Sequence, residues 1–127
     1  MTPDETLAAA IADRVEAASR RTRIEAAQQR LAETSATLAD RKSTAVHEET
    51  DVERLEKLSW TSVVSRLTGN HATDLERESA ERDAARYALR EAEVRHQQAQ
   101  TELAAATTRL EELGDTEAAY VAALAAK

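Results

Sequence analysis

The chain has no cysteine, no phenylalanine, one proline, one tryptophan, two glycines and two tyrosines among its 127 residues. Without cysteine there is neither a disulfide framework nor a thiolate metal site. So few aromatics leave little large apolar area per interior position, which disfavours a compact globule with a thick core. With glycine and proline nearly absent, there are few places for a helix to break. No apolar run has the length needed to cross a bilayer. The first residues, Met1-Thr-Pro-Asp-Glu5, have neither the basic flank nor the apolar stretch of a signal peptide. A cytoplasmic protein is therefore expected. A net charge of −7 disfavours a phosphate backbone as the main partner, so nucleic acid is not expected.

What is present is alanine, glutamate, arginine and leucine. Charged residues make up 32% and hydrophobic residues 42%, much of the latter alanine, a balance that suits a long helix or coiled coil. Ile24, Leu31, Leu38, Ala45 and Val52 recur at every seventh position. So do Leu75, Arg82, Leu89, His96, Leu103 and Leu110, with Ala85, Ala92, Ala99, Ala106 and Leu113 three residues on. Paired in reverse order (24 with 110, 31 with 103, 38 with 96, 45 with 89, 52 with 82), the numbers always add to 134. The pattern predicts an all-α fold, a long antiparallel two-helix coiled-coil hairpin turning about Leu67, with leucine and alanine alternating along a close seam.

Punctuation sets the expected element bounds within a single domain, 1–127. Thr2, Pro3 and Glu5 form a capping box with proline at the first helical position, and a helix runs over about 3–58. Its apolar stripe starts as Leu7, Ile11, Val15 and Ala18, then changes spacing near Arg20 to Arg23, which reads as a stutter. Ser59 is a candidate cap for a tip helix over about 60–68, ended by Gly69. Thr73 and Glu76 form a second capping box, which predicts a return helix over about 74–113, ended by Gly114. A tail helix over about 116–126 turns Tyr120, Val121 and Leu124 toward Leu7, Ile11 and Val15. Arg20, Arg21 and Arg23 fall opposite Glu111, Glu112, Asp115 and Glu117. Glu48, Glu49 and Asp51 fall opposite Arg82 and Arg86. Such flanking pairs are each worth about 0–1 kcal/mol but select register.

Few constellations carry chemistry. Glu93-Val-Arg-His96 has the Glu-x-x-His spacing that, in paired copies, binds di-iron in helical bundles. Leu38 and its neighbours Thr37 and Ala39 supply no partner carboxylate, so His96 is better read as a polar residue that sets register. His47 beside Glu48 and Glu49 reads as a solvated face, and His71 as a loop residue. No serine or threonine sits on a strand-to-helix elbow, and there is no phosphate-cradling glycine loop. Arg14, Arg20, Arg21, Arg23 and Arg30 are diluted by Asp13, Glu16 and Glu25, and no aromatic is there to stack a base. The expectation is a protein that is not an enzyme, with no catalytic residue, no cofactor and no metal. A metal-binding bundle through Glu93 and His96 is the remote alternative.

Two surfaces stand out as candidates for interaction. Trp60, Val63, Val64 and Leu67 make the densest apolar patch, at the turn of the hairpin. They serve either as a plug over Leu55, Leu58 and Leu75 or as an aromatic docking knob for a partner protein or, less expected, a membrane surface. Tyr87 and Val94, with Ala80, Ala84 and Ala105, lie on the face of the return helix turned away from the seam. A helix apolar on two faces has neighbours on two faces. The partner expected is the chain itself, as a homodimer, or another helical protein. The function expected is that of a coiled-coil interaction or scaffold module.

The stretch Leu58-Ser-Trp-Thr-Ser-Val-Val-Ser-Arg-Leu-Thr-Gly69, followed by Leu75-Glu-Arg-Glu78 and Ala84-Ala-Arg-Tyr87, resembles a group of uncharacterised bacterial coiled-coil hairpin proteins. In these a turn of the form L-S-x-x-x-(aromatic/apolar)-x-x-L-x-G precedes an E-x-x-E-x-x-A-A-x-x-Y helix. The likeness spans roughly residues 55–125, including the closing Leu113-Gly-Asp with Tyr120 and Leu124. It implies the hairpin and no activity. The small secreted helical hairpins of type VII systems share a tryptophan at the turn. Their Trp-x-Gly signature is missing here, because Thr61-Ser62 follows Trp60.

Overall fold

The computed structural model describes the backbone of residues 1–61 and 70–127 and the side chains of 1–56 and 73–127. Among these residues every regular element is helical: α1 spans Pro3–Thr61, α2 Asn70–Leu113 and α3 Thr116–Ala126. The protein is an all-α hairpin whose two long helices pack antiparallel. The expected tip helix, with Val63, Val64, Leu67 and its end at Gly69, lies outside the described residues, as do the side chains of Leu58, Trp60 and His71.

Local signals explain most helix ends. The Glu5 N–H donates to Thr2 Oγ1 at 3.2 Å and the Thr2 N–H donates to Glu5 Oε2 at 2.9 Å, so the capping box satisfies two otherwise orphaned groups. Between α2 and α3, Gly114 takes a left-handed φ of 67° and donates its N–H to the Glu111 carbonyl at 3.1 Å. Asp115 then caps α3, its Oδ1 accepting from the Ala118 N–H at 3.0 Å.

Two expected boundaries move. α1 continues through Ser59 to Thr61, because serine without a neighbouring glycine or proline weakens a helix and does not end it. α2 already begins at Asn70, so Thr73 lies inside the helix and does not cap it. Once nucleated, a helix extends for one hydrogen bond per residue, and nothing in Asn70-His-Ala prevents that extension.

The contacts between backbones divide the chain into two compact units, Met1–Ala32 with Gln98–Lys127 and Glu33–Gln97. The first unit buries Ala10, Ala17 and Ala27 of α1, Ala99 and Ala106 of α2, and Thr116 and Ala123 of α3. Leu7, Ile24, Leu31, Leu103, Leu110 and Leu113 lie half-buried beside them. The second unit buries Ala45, Val52, Ala85 and Ala92, with Leu38, Leu55, Leu75 and Leu89 half-buried. Val52, 1% exposed, is the one large side chain fully enclosed among the described residues. Both cores are thin, and the small side chains between the leucines let the helices come close.

On α1 the inward heptad runs back without interruption from Ile24 through Ala17 to Ala10. The expected stutter at Arg20–Arg23 is absent, and the expected inner residues Ile11 and Val15 are 45% and 65% exposed. The tail is corrected in the same sense: Thr116, Tyr120 and Ala123 face inward, while Val121 and Leu124 are 61% and 51% exposed. The cause is common to both. In a closely packed seam it is the alanines that fit, and bulkier neighbours one residue away are left on the flank.

Cross-helix pairs on the flanks add to between 125 and 135, a span that includes the expected 134: Glu16 with Arg109 to 125, Thr34 with His96 to 130, Asp4 with Lys127 and Arg14 with Glu117 to 131, Arg30 with Glu102 to 132, and Glu49 with Arg86 to 135. Every residue assigned to the two leucine heptads still faces the seam.

Candidate interaction surfaces

In the first unit the two flanks of the seam differ in character. On one flank the Arg109 guanidinium donates to both oxygens of Glu16, from Nε at 2.7 Å and from the second nitrogen at 2.9 Å, and lies 3.4 Å from Glu112. Glu16 also stands 3.6 Å from Arg20. The hydrogen bonds from Arg109 hold the Glu16 carboxyl below the ordinary carboxylate range, against the opposing effect of desolvation. The same pair raises the Arg109 guanidinium above its usual value. Further along, Arg20, Arg23 and Arg30 rim an open groove of about 340 Å³ floored by Ala26, Ala27, Ala105 and Ala106, with Glu102 paired to Arg30. Of the arginines expected opposite the acidic run, Arg20 reaches it indirectly, through Glu16 and Arg109 to Glu112.

The other flank carries Arg14 and Glu117, joined by an Nε–Oε1 contact of 2.7 Å. The hydrogen bond to Glu117 and its charge raise the Arg14 pKa. Arg14 also lies 4.5 Å from the centre of the Tyr120 ring, within cation–π range. Ile11 and Val15 neighbour Arg14 on one helical stripe; Val121 and Leu124 follow Glu117 at i+4 and i+7 on another. The bond between Arg14 and Glu117 places both stripes on the same side of the helix pair. Sequence reasoning missed this surface because it assigned Val15, Val121 and Leu124 to the interior.

In the second unit, Tyr87 and Val94 are 63% and 57% exposed. Being seven residues apart, they share one stripe, away from the seam that buries Ala85 and Ala92. The Trp60 side chain and Val63, Val64 and Leu67 lie outside the described residues. The His96 ring is half-buried, its Nδ1 3.1 Å from Thr34 Oγ1, whereas Glu93 is exposed. Engagement by Thr34 fits the register-setting role and does not complete the Glu-x-x-His pattern into a ligand set. His47 lies exposed, 3.5 Å from Asp51.

The same unit contains a cluster not anticipated from the spacing. Carboxylate oxygens of Glu48, Glu78 and Glu81 lie within 4.8 Å of one another, and these are the residues, among those described, close enough to share a cation. One oxygen each of Glu48 and Glu78, and Nε of Arg82, is enclosed without a hydrogen-bond partner. Desolvation raises the Glu78 pKa, and the charges of Glu81, Glu48 and Asp51 push it the same way. The signal was available: Glu48 follows Ala45 by three residues and Glu78 follows Leu75 by three, so both belong to the inner face. Arg86 pairs with Glu49 on the flank nearby.

Set beside known proteins, the chain matches no family model, no curated protein and no solved structure. Among the described residues, no helix is long and apolar enough to cross a membrane.

Proposed function

We propose that this chain is a non-enzymatic coiled-coil interaction module of the cytoplasm, acting by protein–protein contact as a scaffold or spacer and associating with itself through its helical faces. One observation carries the proposal: large apolar side chains lie outside the seam in both units. Ile11, Val15, Val121 and Leu124 are about half exposed or more in the first, and Val46, Tyr87 and Val94 in the second. Partners of the same kind are the economical cover for such faces, since homo-oligomers with closed symmetry predominate.

Sedimentation equilibrium of the purified chain tests this. The expected mass at tens of micromolar is a multiple of 13.9 kDa. A species that stays monomeric across that range overturns the proposal.

A further inference from the structure

We infer that a second copy of this chain covers the flank of the first unit formed by Ile11, Val15, Val121 and Leu124, completing a four-helix layer from two α1–α3 pairs. This rests on the self-association proposed above and names the surface responsible.

The flank is rich in exposed apolar side chains. On α1 it includes Met1, Ala8, Ile11, Val15 and Ala18, all exposed, and on α3 Val121 and Leu124. Each of the two acidic groups within it is already answered inside the chain, Asp4 by Lys127 at 3.1 Å and Glu117 by Arg14 at 2.7 Å. The opposite flank exposes Glu5, Asp13 and Glu112. In a chain of net charge −7, a locally neutral apolar strip is where two identical copies approach with least repulsion. A two-fold axis brings the same patch of each copy together, which requires a surface that is compatible with itself, as this one is.

The seam of this unit encloses alanines and Thr116 but no large apolar side chain, so a second layer supplies what its own core lacks.

The test compares two double variants of the full chain by sedimentation: Val15→Glu with Val121→Glu, and Tyr87→Glu with Val94→Glu. All four positions are more than half exposed, so each variant keeps its helices, which circular dichroism verifies. The first variant is expected to weaken dimerisation about 100-fold or more, by burying carboxylates without partners, and the second to leave it within a few-fold. Because the chain has no cysteine, Val15→Cys provides an independent readout. Thiol labelling of Val15→Cys is expected to slow several-fold as the chain concentration rises through the dimerisation range, and that of Tyr87→Cys is not. A wild-type dimer that survives Val15→Glu with Val121→Glu, or whose formation slows labelling of Tyr87→Cys and not of Val15→Cys, overturns this inference while leaving self-association standing. A monomeric wild type overturns both.

Discussion

The two units draw on the same pair of long helices and fill their seams differently. In the first, the inner positions of α1 and α2 are apolar (Ala10, Ala17, Ile24, Ala27 and Leu31 with Ala99, Leu103, Ala106 and Leu110), Thr116 of α3 is the one buried polar residue, and the ions stay on the flanks. In the second, Thr34, Glu48, His96, Glu78 and Arg82 stand among the leucines and alanines. Apolar layers favour close packing but tolerate a slip of one heptad, since leucine follows leucine. A polar residue at an inner position penalises every alignment that leaves it unpaired, and so fixes one at some expense in stability. The comparison therefore assigns tight packing to one unit and register to the other.

The largest expected effect breaks the packing half of that comparison. Ala99 is wholly enclosed, and Ala99→Leu forces the helices of the first unit apart. The expected loss is about 1–3 kcal/mol in urea unfolding, with faster amide exchange confined to Met1–Ala32 and Gln98–Lys127. A neutral result means that alanine does not set the spacing there. In the second unit the equivalent probe is deletion. Val52→Ala removes the only fully enclosed large side chain described and is expected to lose about 1–2 kcal/mol. If Val52→Ala costs more than Ala99→Leu, the second unit is the better packed of the two and the contrast is reversed.

Much of this was legible in the sequence, and the parts that were not share a cause. The leucines at 31, 38, 89, 103 and 110 announce a period of 3.5, and the alanines at 85, 92, 99 and 106 announce the second row of α2 because leucine flanks them regularly. Near the amino terminus alanine occurs at 8, 9, 10, 12, 17 and 18, so the inner Ala10 and Ala17 carry no distinguishing mark beside Ile11 and Val15. Weighing bulk over fit then produced both a stutter that is absent and a tail turned the wrong way. Glu78 was one heptad step beyond Ala85 and was passed over because it is charged. The exposed flank of the first unit became visible only when the alanines displaced its residues from the interior.

The smallest expected effect sharpens the comparison through pH. Glu16 in the first unit has a lowered pKa, so its favourable contribution is present above the unfolded value and is lost as pH falls through the depressed folded value. Glu78 in the second unit is raised, by desolvation and by Glu81, Glu48 and Asp51, with Arg82 the nearby cation at the next inner position. Its contribution is full below the unfolded value and is lost as pH rises through the raised folded value. Acidifying from neutrality toward the ordinary glutamate value of 4.5 thus strengthens the second unit first and leaves the first unaffected; below that value the first weakens. Hydrogen exchange followed by mass spectrometry, corrected for intrinsic rates at each pH, resolves the units separately. The expected result is opposite trends, with Glu78→Gln flattening the response of Glu33–Gln97 and Glu16→Gln flattening that of the other unit. Parallel trends in the two units, or a response of Glu33–Gln97 unaffected by Glu78→Gln, would show that the acidic cluster is relaxed by solvent and that polar groups in this seam cost less than the comparison supposes.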